Sequence, residues 1–213
     1  TLATVEPLVG GAETVTGHEG RDIVFGGEAG DTLNETGYGE DDILVGDHGI
    51  AEFAVNAVTG SAYLARIETT DPTHGGVDHI VAGFGANVIF GGVAGDLLYA
   101  GGDAAEDIVV GDEGSADYAV DAVTGNVYLS LVQTTDPEHA GDDVITAGNG
   151  INVLLGGSGT DTITGGSARD IVAGDNATVE YAFGPVLSAG YLSLIQTRDP
   201  GYGGGDVITT HNG

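Results

Sequence analysis

Residues 156–164 read Gly-Gly-Ser-Gly-Thr-Asp-Thr-Ile-Thr, and residues 165–173 follow with Gly-Gly-Ser-Ala-Arg-Asp-Ile-Val-Ala. Each unit opens on two glycines, carries aspartate in sixth place and carries an aliphatic residue in eighth place. The same register runs back one unit at a time to Asn152 and Asp143. A period this short predicts a solenoid of small stacked units.

The nine-residue period has a simple physical interpretation. Glycines permit the positive φ angles of a tight loop, and the three residues after the aspartate are long enough for a short strand with one side chain inward. Two units make one coil, so every second unit is stacked on the last at a distance of about 4.8 Å. Stacking brings each aspartate over the next, and a bound cation would relieve their repulsion.

A longer repeat contains the short one. Asp71-Pro72 recurs as Asp136-Pro137 and again, after a slightly shorter interval, as Asp199-Pro200. We expect three copies, over 17–82, 83–147 and 148–208. Residues 1–16 resemble the close of a preceding copy, and residues 209–213 resemble the opening of a further one. Each copy also contains a segment that the nine-residue unit does not explain.

These extra segments predict one β-hairpin per copy, at 50–70, 115–135 and 177–197. Apolar residues alternate with polar ones on both sides of Thr-Gly or Gly-rich turns, which is typical of hairpins. The third turn is expected at 184–190. Hairpin tyrosines at 63, 118, 128, 181 and 191 either cover the open edge and ends of the roll or form a sugar-binding platform, and we favour the first interpretation.

Charge supports a cation-binding interpretation. The chain has 33 acidic and 4 basic residues, a formal net charge of −29, and yet 41% hydrophobic residues. Such an acidic excess opposes compaction unless cations neutralise it, and an oxygen-only ligand set selects calcium or magnesium. Nucleic acid is an unsuitable partner because binding it requires a basic patch. No apolar run approaches a membrane span, so we expect no membrane insertion.

The repeat resembles the RTX, or hemolysin-type, calcium-binding repeat, Gly-Gly-x-Gly-x-Asp-x-(apolar)-x, which residues 156–164 match at every defined position. This family is found in large secreted bacterial surface proteins and adhesins. The resemblance implies an all-β fold, a right-handed parallel β-roll or β-solenoid with Ca²⁺ between stacked loops, here interrupted by the hairpins. It also implies several Ca²⁺ ions per chain. Each would take position-six side chains and carbonyls from positions two and four of one loop and one and three of the next.

Carried onto this chain, the resemblance indicates the metal-binding residues. The position-six residues are Asp22, Asp31, Asp42, Asp78, Asn87, Asp96, Asp107, Asp143, Asn152, Asp161, Asp170 and Asp206. The loop glycines are Gly76, Gly91, Gly141, Gly148, Gly150, Gly156 and Gly165. Asn87 and Asn152 depart from aspartate and are expected to bind calcium more weakly. Asp47, Asp112 and Asp175 either close the last calcium loop of each block or are plain turn residues.

The sequence favours a structural function over an enzymatic one. The histidines, which we interpret as surface or loop substitutions, lack a metal-protease spacing, and no Gly-x-Ser-x-Gly turn is present. We therefore expect a secreted, extracellular spacer or filament segment of a bacterial surface, adhesin or matrix protein, exported by type I secretion.

The expected partners of this segment are calcium, neighbouring copies end to end and, in a further alternative, surface glycans. The first alternative is a calcium-triggered folding module of a toxin or hydrolase; the second is a carbohydrate-binding module.

Overall fold

The structure is a computed structural model that describes residues 1–3, 10–37, 41–184 and 189–211. These residues form twenty β-strands and no helix, so none of them belongs to a helix that could cross a membrane. The predicted all-β class is confirmed. The expected turn at 184–190 and the expected opening of a further copy at 209–213 lie partly outside the described residues, as does the segment 1–16.

Two parallel sheets form the walls of the roll. Sheet I contains seven strands, in the spatial order β2 (Thr14–Gly17), β4 (Thr32–Glu35), β8 (His79–Val81), β10 (Leu97–Tyr99), β14 (Val144–Thr146), β16 (Thr162–Thr164) and β20 (Val207–Thr209). Sheet II contains six strands, in the order β3 (Ile23–Phe25), β5 (Ile43–Val45), β9 (Val88–Phe90), β11 (Ile108–Val110), β15 (Val153–Leu155) and β17 (Ile171–Ala173).

The register of these sheets follows the repeat. Ile145 pairs with Ile163, which stands at the same place two nine-residue units later, as the period predicts. Leu98 pairs with Ile145 although the whole hairpin of the second copy lies between them in the sequence. The roll thus continues without a break through each insertion, because the chain leaves at the end of one coil and re-enters at the start of the next.

A thin core runs between the two sheets. Sheet I contributes the middle residue of each strand, fully buried at Leu33, Ile80, Leu98, Ile145 and Ile163. Sheet II contributes Leu44, Ile89, Val109 and Leu154, which are equally buried. Strands such as Thr162–Thr164, with only the central residue buried, confirm the predicted single inward side chain for sheet I.

Sheet II departs from that prediction because its strands are buried on both faces. Its segments Ile43–Val45, Val88–Phe90 and Val153–Leu155 are apolar and buried at all three positions. Continuous apolar strands are typical of parallel sheets that are covered on both sides. The outward residues pack against the hairpins, which therefore cover the flank of the roll rather than its ends.

The hairpins form a third sheet, which is antiparallel. Sheet III has seven strands, in the order β1 (Leu2–Ala3), β6 (Gly49–Val55), β7 (Ala62–Thr69), β12 (Gly114–Val120), β13 (Val127–Thr134), β18 (Ala177–Gly184) and β19 (Ala189–Thr197). Strands β7 and β12 pair between copies, and Arg66 of one binds Asp117 of the other at 2.7 Å. Tyr118 and Tyr181 pack against the core under this sheet.

Position four of the nine-residue loop provides a test of the loop conformation. Gly159 has φ +124°, and a side-chain carbon there would collide with the carbonyl oxygen of Gly141. Ala94 holds the equivalent position at φ 72°, in the left-handed region. We expect Gly159→Ala to destabilise the calcium-loaded protein by about 2 kcal/mol or more.

Ala94→Gly is the matched control. Relief of backbone strain is offset by the greater freedom of glycine in the unfolded chain, so stability should change by less than about 1 kcal/mol. Urea unfolding at saturating calcium measures both variants. Equal losses would show that the loop conformation at position four is not the one described.

Candidate metal centre

The position-six residues form two columns, one at each edge of the roll. Column A contains the loops that lead into the strands of sheet I, with Asp31, Asp78, Asp96, Asp143, Asp161 and Asp206. In each step, the backbone N–H of one aspartate donates to Oδ1 of the aspartate in the next coil, over 2.6–3.0 Å. The N–H of Glu13 donates in the same way to Asp31, at 2.6 Å. One oxygen of each carboxylate is therefore used to tie coil to coil.

Column B lies at the opposite edge and has a mixed composition. Its members are Asp22, Asp42, Asn87, Asp107, Asn152 and Asp170, joined by the same hydrogen bond at 2.8–3.1 Å. The structure thus brings together the pairs expected between neighbouring coils of one copy, such as Asn87 with Asp107. It also joins pairs across hairpins, such as Asp107 with Asn152.

The second oxygen of most column aspartates has no partner. Among the described residues, Oδ2 is buried without a hydrogen bond at Asp31, Asp78, Asp96, Asp143 and Asp161 in column A, and at Asp107 and Asp170 in column B. A buried charge without a partner is strongly unfavourable. These oxygens therefore require either a proton or a cation.

Glycines leave room for oxygen atoms around most of these Oδ2 atoms. A side-chain carbon at Gly91 would collide with Oδ2 of Asp96 and with the carbonyl oxygen of Gly111. Gly156 has the same relation to Asp161 and the carbonyl of Gly174. At Gly165 such a carbon would collide with Oδ2 of Asp170. A carboxylate oxygen and a carbonyl oxygen from the next coil thus face the same space beside a column A glycine.

This donor set fits calcium, a hard cation that takes six to eight oxygen ligands, including backbone carbonyls. Within the described residues, no three His, Cys, Asp or Glu side chains form a metal-binding group. Carbonyl oxygens are needed to complete any coordination sphere here. Calcium, when bound, would supply the positive charge that the column lacks, held by the aspartates of adjacent coils.

The asparagines of column B donate hydrogen bonds to carbonyl groups of their own loops. Asn87 Nδ2 donates to the carbonyls of Gly83 and Gly85 at 3.3 and 3.0 Å. Asn152 Nδ2 donates likewise to the carbonyls of Gly148 and Gly150 at 3.2 and 3.1 Å. These carbonyls hold positions two and four, where the resemblance placed calcium ligands, so the side-chain amide occupies the place of a cation.

Burial makes the carboxylates poor acids in the absence of metal. Burial, with the charge of Asp143 second, raises the pKa of Asp96 to about 10. Burial also raises the pKa of Asp143 to about 8, and those of Asp78, Asp107 and Asp161 to about 7. The metal-free fold therefore favours protonated carboxyl groups at the very positions that calcium would neutralise.

The Gly-Asp aspartates connect the two ends of each hairpin insertion. Asp47 accepts hydrogen bonds from the N–H groups of Gly76 and Val93, at 2.9 and 2.7 Å. Asp112 accepts from Gly141, at 2.8 Å, and from Ser158, and Asp175 accepts from Gly204 at 3.0 Å. Both oxygens of Asp47 and Asp112 are used by backbone donors, which is the arrangement of a structural turn residue.

Three buried ionisable side chains lie outside the predicted set. Glu35, His48 and Glu113 are 2%, 5% and 1% exposed, and within the part of the chain that the structure describes the side-chain polar atoms of Glu35 and His48 have no hydrogen-bond partner. His48 lies in the loop between β5 and β6, which agrees with the loop interpretation, but it is buried rather than at the surface. None of the three occupies position six, so the period gave no signal for them; inward alternation along Thr32–Glu35 was the available clue for Glu35.

Acid should substitute for calcium in part. An aspartate has a pKa near 3.9 in an unfolded chain, whereas Asp96, Asp143 and Asp78 have raised pKa values of about 10, 8 and 7 in the metal-free fold. Between the pKa of the unfolded chain and the raised pKa values of the fold, the folded chain binds more protons than the unfolded chain does. Its stability therefore falls as the pH rises from about 4 toward these raised pKa values. In chelator, circular dichroism should show β-structure increasing from pH 7 toward pH 4. A spectrum independent of pH would contradict this.

Asp161 and Asn152 provide a matched comparison between the columns. Asp161→Ala removes an unpaired Oδ2, so calcium stoichiometry should fall by at least one, and the third copy should be destabilised more than the first. Asn152→Ala removes three hydrogen bonds that its amide donates and one that it accepts from the N–H of Asp107, so stability should fall by about 1–3 kcal/mol without a change in stoichiometry. Calorimetric calcium titration and urea unfolding separate the two. If Asn152→Ala lost a bound calcium and Asp161→Ala did not, calcium would be assigned to Asn152 and not to Asp161.

Comparison with known proteins identifies the repeat. The sequence model of the RTX calcium-binding nonapeptide repeat matches four copies, over residues 9–34, 73–105 and 139–176. Neither the curated proteins nor the solved structures give a match to the chain. The matched segments contain most of both columns, with their unpaired carboxylate oxygens, and leave out the hairpins. The chain therefore carries RTX calcium-binding nonapeptide repeats over these three segments.

Proposed function

We propose that this chain is a structural segment, a spacer or filament, of a large secreted bacterial surface, adhesin or matrix protein, and that it folds when it binds calcium outside the cell. The observation that carries the proposal is the row of buried Oδ2 atoms without partners. Such a row makes the folded state dependent on a cation. We further propose that the roll is right-handed and that the segment has no catalytic activity.

Propagation of the hairpin sheet supports a spacer function. Ile67 pairs with Ala116 between the first and second copies, and Val132 pairs with Val179 between the second and third. Leu2 pairs with Ala51 in the same sense. One interface is thus used repeatedly, which suits end-to-end addition of copies, since each repeat of a solenoid contacts only its neighbours.

Calcium supply supports an extracellular location. Extracellular calcium modules work with dissociation constants of about 10⁻⁴–10⁻³ M, far above cytosolic calcium. A chain of this charge would stay extended during export and fold afterwards, which is the basis for proposing type I secretion. The absence of cysteine from the 213 residues avoids disulfide trapping on this route.

Two alternatives remain, and each has its own test. A calcium-triggered folding module of a toxin or hydrolase would be encoded beside one catalytic domain, whereas a filament would be encoded with many further copies. A carbohydrate-binding module would use the hairpin tyrosines, but Tyr118 and Tyr181 pack against the core under sheet III. That packing favours the spacer, and a glycan-binding screen tests the alternative directly.

Folding should depend on calcium at neutral pH. In chelator the stacked carboxylates repel each other, so circular dichroism should show a largely disordered chain, and titration with millimolar calcium should produce the β spectrum. Magnesium is the control: it demands octahedral geometry and retains its waters, so it should substitute poorly. An unchanged β spectrum and a cooperative melt in chelator at pH 7 would refute the proposed function.

A further inference from the structure

The outer face of sheet I carries no charged side chain, although the chain has a formal net charge of −29. The first and third residues of its seven strands alternate with the inward second residue, and none of them is Asp, Glu, Lys or Arg. The outer face of sheet III, by contrast, carries Arg66, Glu68 and Asp117. Charged residues keep exposed surfaces soluble, so the composition of the sheet I face needs another reason.

A groove lies beside this face, where strands β4, β8 and β10 end. Its volume is about 490 Å³, and Phe84 and Tyr99 line it. These two aromatic residues are 38% and 40% exposed. The other lining residues that the structure describes are threonine, alanine and glycine, so no Asp, Glu, Lys, Arg or His faces the groove. A groove of this size accommodates a small ligand.

Glycine backbone forms much of the groove. A side-chain carbon at Gly83 would collide with the carbonyl oxygen of Gly37, and one at Gly101 would collide with the carbonyl oxygen of Gly83. Loop glycines of three neighbouring coils are therefore stacked without side chains. The hydroxyl oxygen of Tyr99 lies beside Gly102, 3.2 Å from the place of a side-chain carbon. Backbone amides and a phenol hydroxyl thus accompany the two aromatic rings.

The aromatic pair departs from the long repeat. Counted from the column A residue of each coil, the corresponding residues are Asn149 and Thr164 in the third copy. In the first copy they are Glu19 and Asn34. Two of the three copies are built without aromatic residues at these places, so the stacking of coils does not require them. A ligand gives the pair a function that the repeat does not.

Charge and chemistry limit the ligand of this groove. The net charge of −29 repels anions and opposes the lateral approach of a second copy of the chain. No carboxylate lines the groove to hold a cation. A neutral ligand remains, with an apolar face for the aromatic rings and polar groups for the Tyr99 hydroxyl and the glycine backbone. Sugar rings have this combination, because one face presents C–H groups and the edge presents hydroxyl groups.

We propose that the groove at Phe84 and Tyr99 binds a neutral sugar unit of a glycan. An aromatic ring stacks on the C–H face of the sugar, and the Tyr99 hydroxyl bonds a sugar hydroxyl. The uncharged outer face of sheet I continues the site along the roll, so neighbouring sugar units of the same glycan lie on it. This site is separate from the hairpin tyrosines, because sheet III covers sheet II and leaves sheet I uncovered. It adds a ligand to the proposed spacer.

The test is titration of the calcium-loaded chain with neutral hexasaccharides of glucose, galactose, mannose and N-acetylglucosamine, measured by saturation-transfer NMR and calorimetry. At least one of them should bind, whereas a hexasaccharide of galacturonate, which is anionic, should not. Phe84→Asn and Tyr99→Thr introduce the residues that the third copy carries at these places, so the roll accommodates them. Each variant should bind the sugar at least about tenfold more weakly, because an aromatic contact is lost.

Tyr202→Ala is the matched control, because Tyr202 is 49% exposed on a different loop, and this variant should bind sugar like the parent chain. Parental affinity in both groove variants would overturn the inference, as would a parent chain that binds none of the neutral hexasaccharides. Self-association that both groove variants abolish, without sugar binding, would assign the groove to a second copy and also overturn it. A parent chain that fails to fold with calcium would instead refute the proposed function, and circular dichroism before the titration distinguishes this failure.

Discussion

Each aspartate of column A divides its carboxylate between two tasks, and the rest of the structure depends on that division. Oδ1 accepts the backbone N–H of the preceding coil, which fixes the stacking distance and register. Oδ2 is left buried and without a hydrogen bond at Asp31, Asp78, Asp96, Asp143 and Asp161. The interaction that aligns the coils therefore also creates the unpaired charge, so the roll cannot gain its register without acquiring a need for cations.

The two columns meet this need differently. Column A has aspartate at every described coil from Asp31 to Asp206, with Glu13 before them. Column B mixes aspartate with asparagine, and the side-chain amides of Asn87 and Asn152 donate hydrogen bonds to the carbonyls of their own loops. One edge of the roll is then dependent on metal, while the other is partly held by ordinary hydrogen bonds.

The hairpins compensate for a thin core. A coil with one buried aliphatic residue per sheet I strand buries little apolar surface, and burial is the main source of stability. Sheet III covers the outer face of sheet II, so residues such as Val45, Phe90 and Leu155 are buried beneath it. Asp47 and Asp112 then join the coil before each hairpin to the coil after it.

The period of nine, legible in residues 156–173, determined much of this protein by itself. It predicted the strands, the stacking of every second unit, the inward aliphatic residues and the aspartate pairs, because solenoid geometry depends only on local spacing. The continuity of pairing across each hairpin, the antiparallel sheet of hairpins and the second buried face of sheet II were decided by tertiary structure, since they depend on contacts between segments far apart in sequence.

The role of single residues likewise depends on tertiary contacts that the sequence period does not predict. The resemblance to the RTX repeat placed Asn152 among the calcium ligands, but only the fold shows its amide bonded to the carbonyls of Gly148 and Gly150. Glu35 carries no motif, and only the fold shows that it is buried over Gly17 without a hydrogen-bond partner. A repeat specifies which residues stack, whereas the charge balance of each interval depends on which side chains the stacked coils bring together.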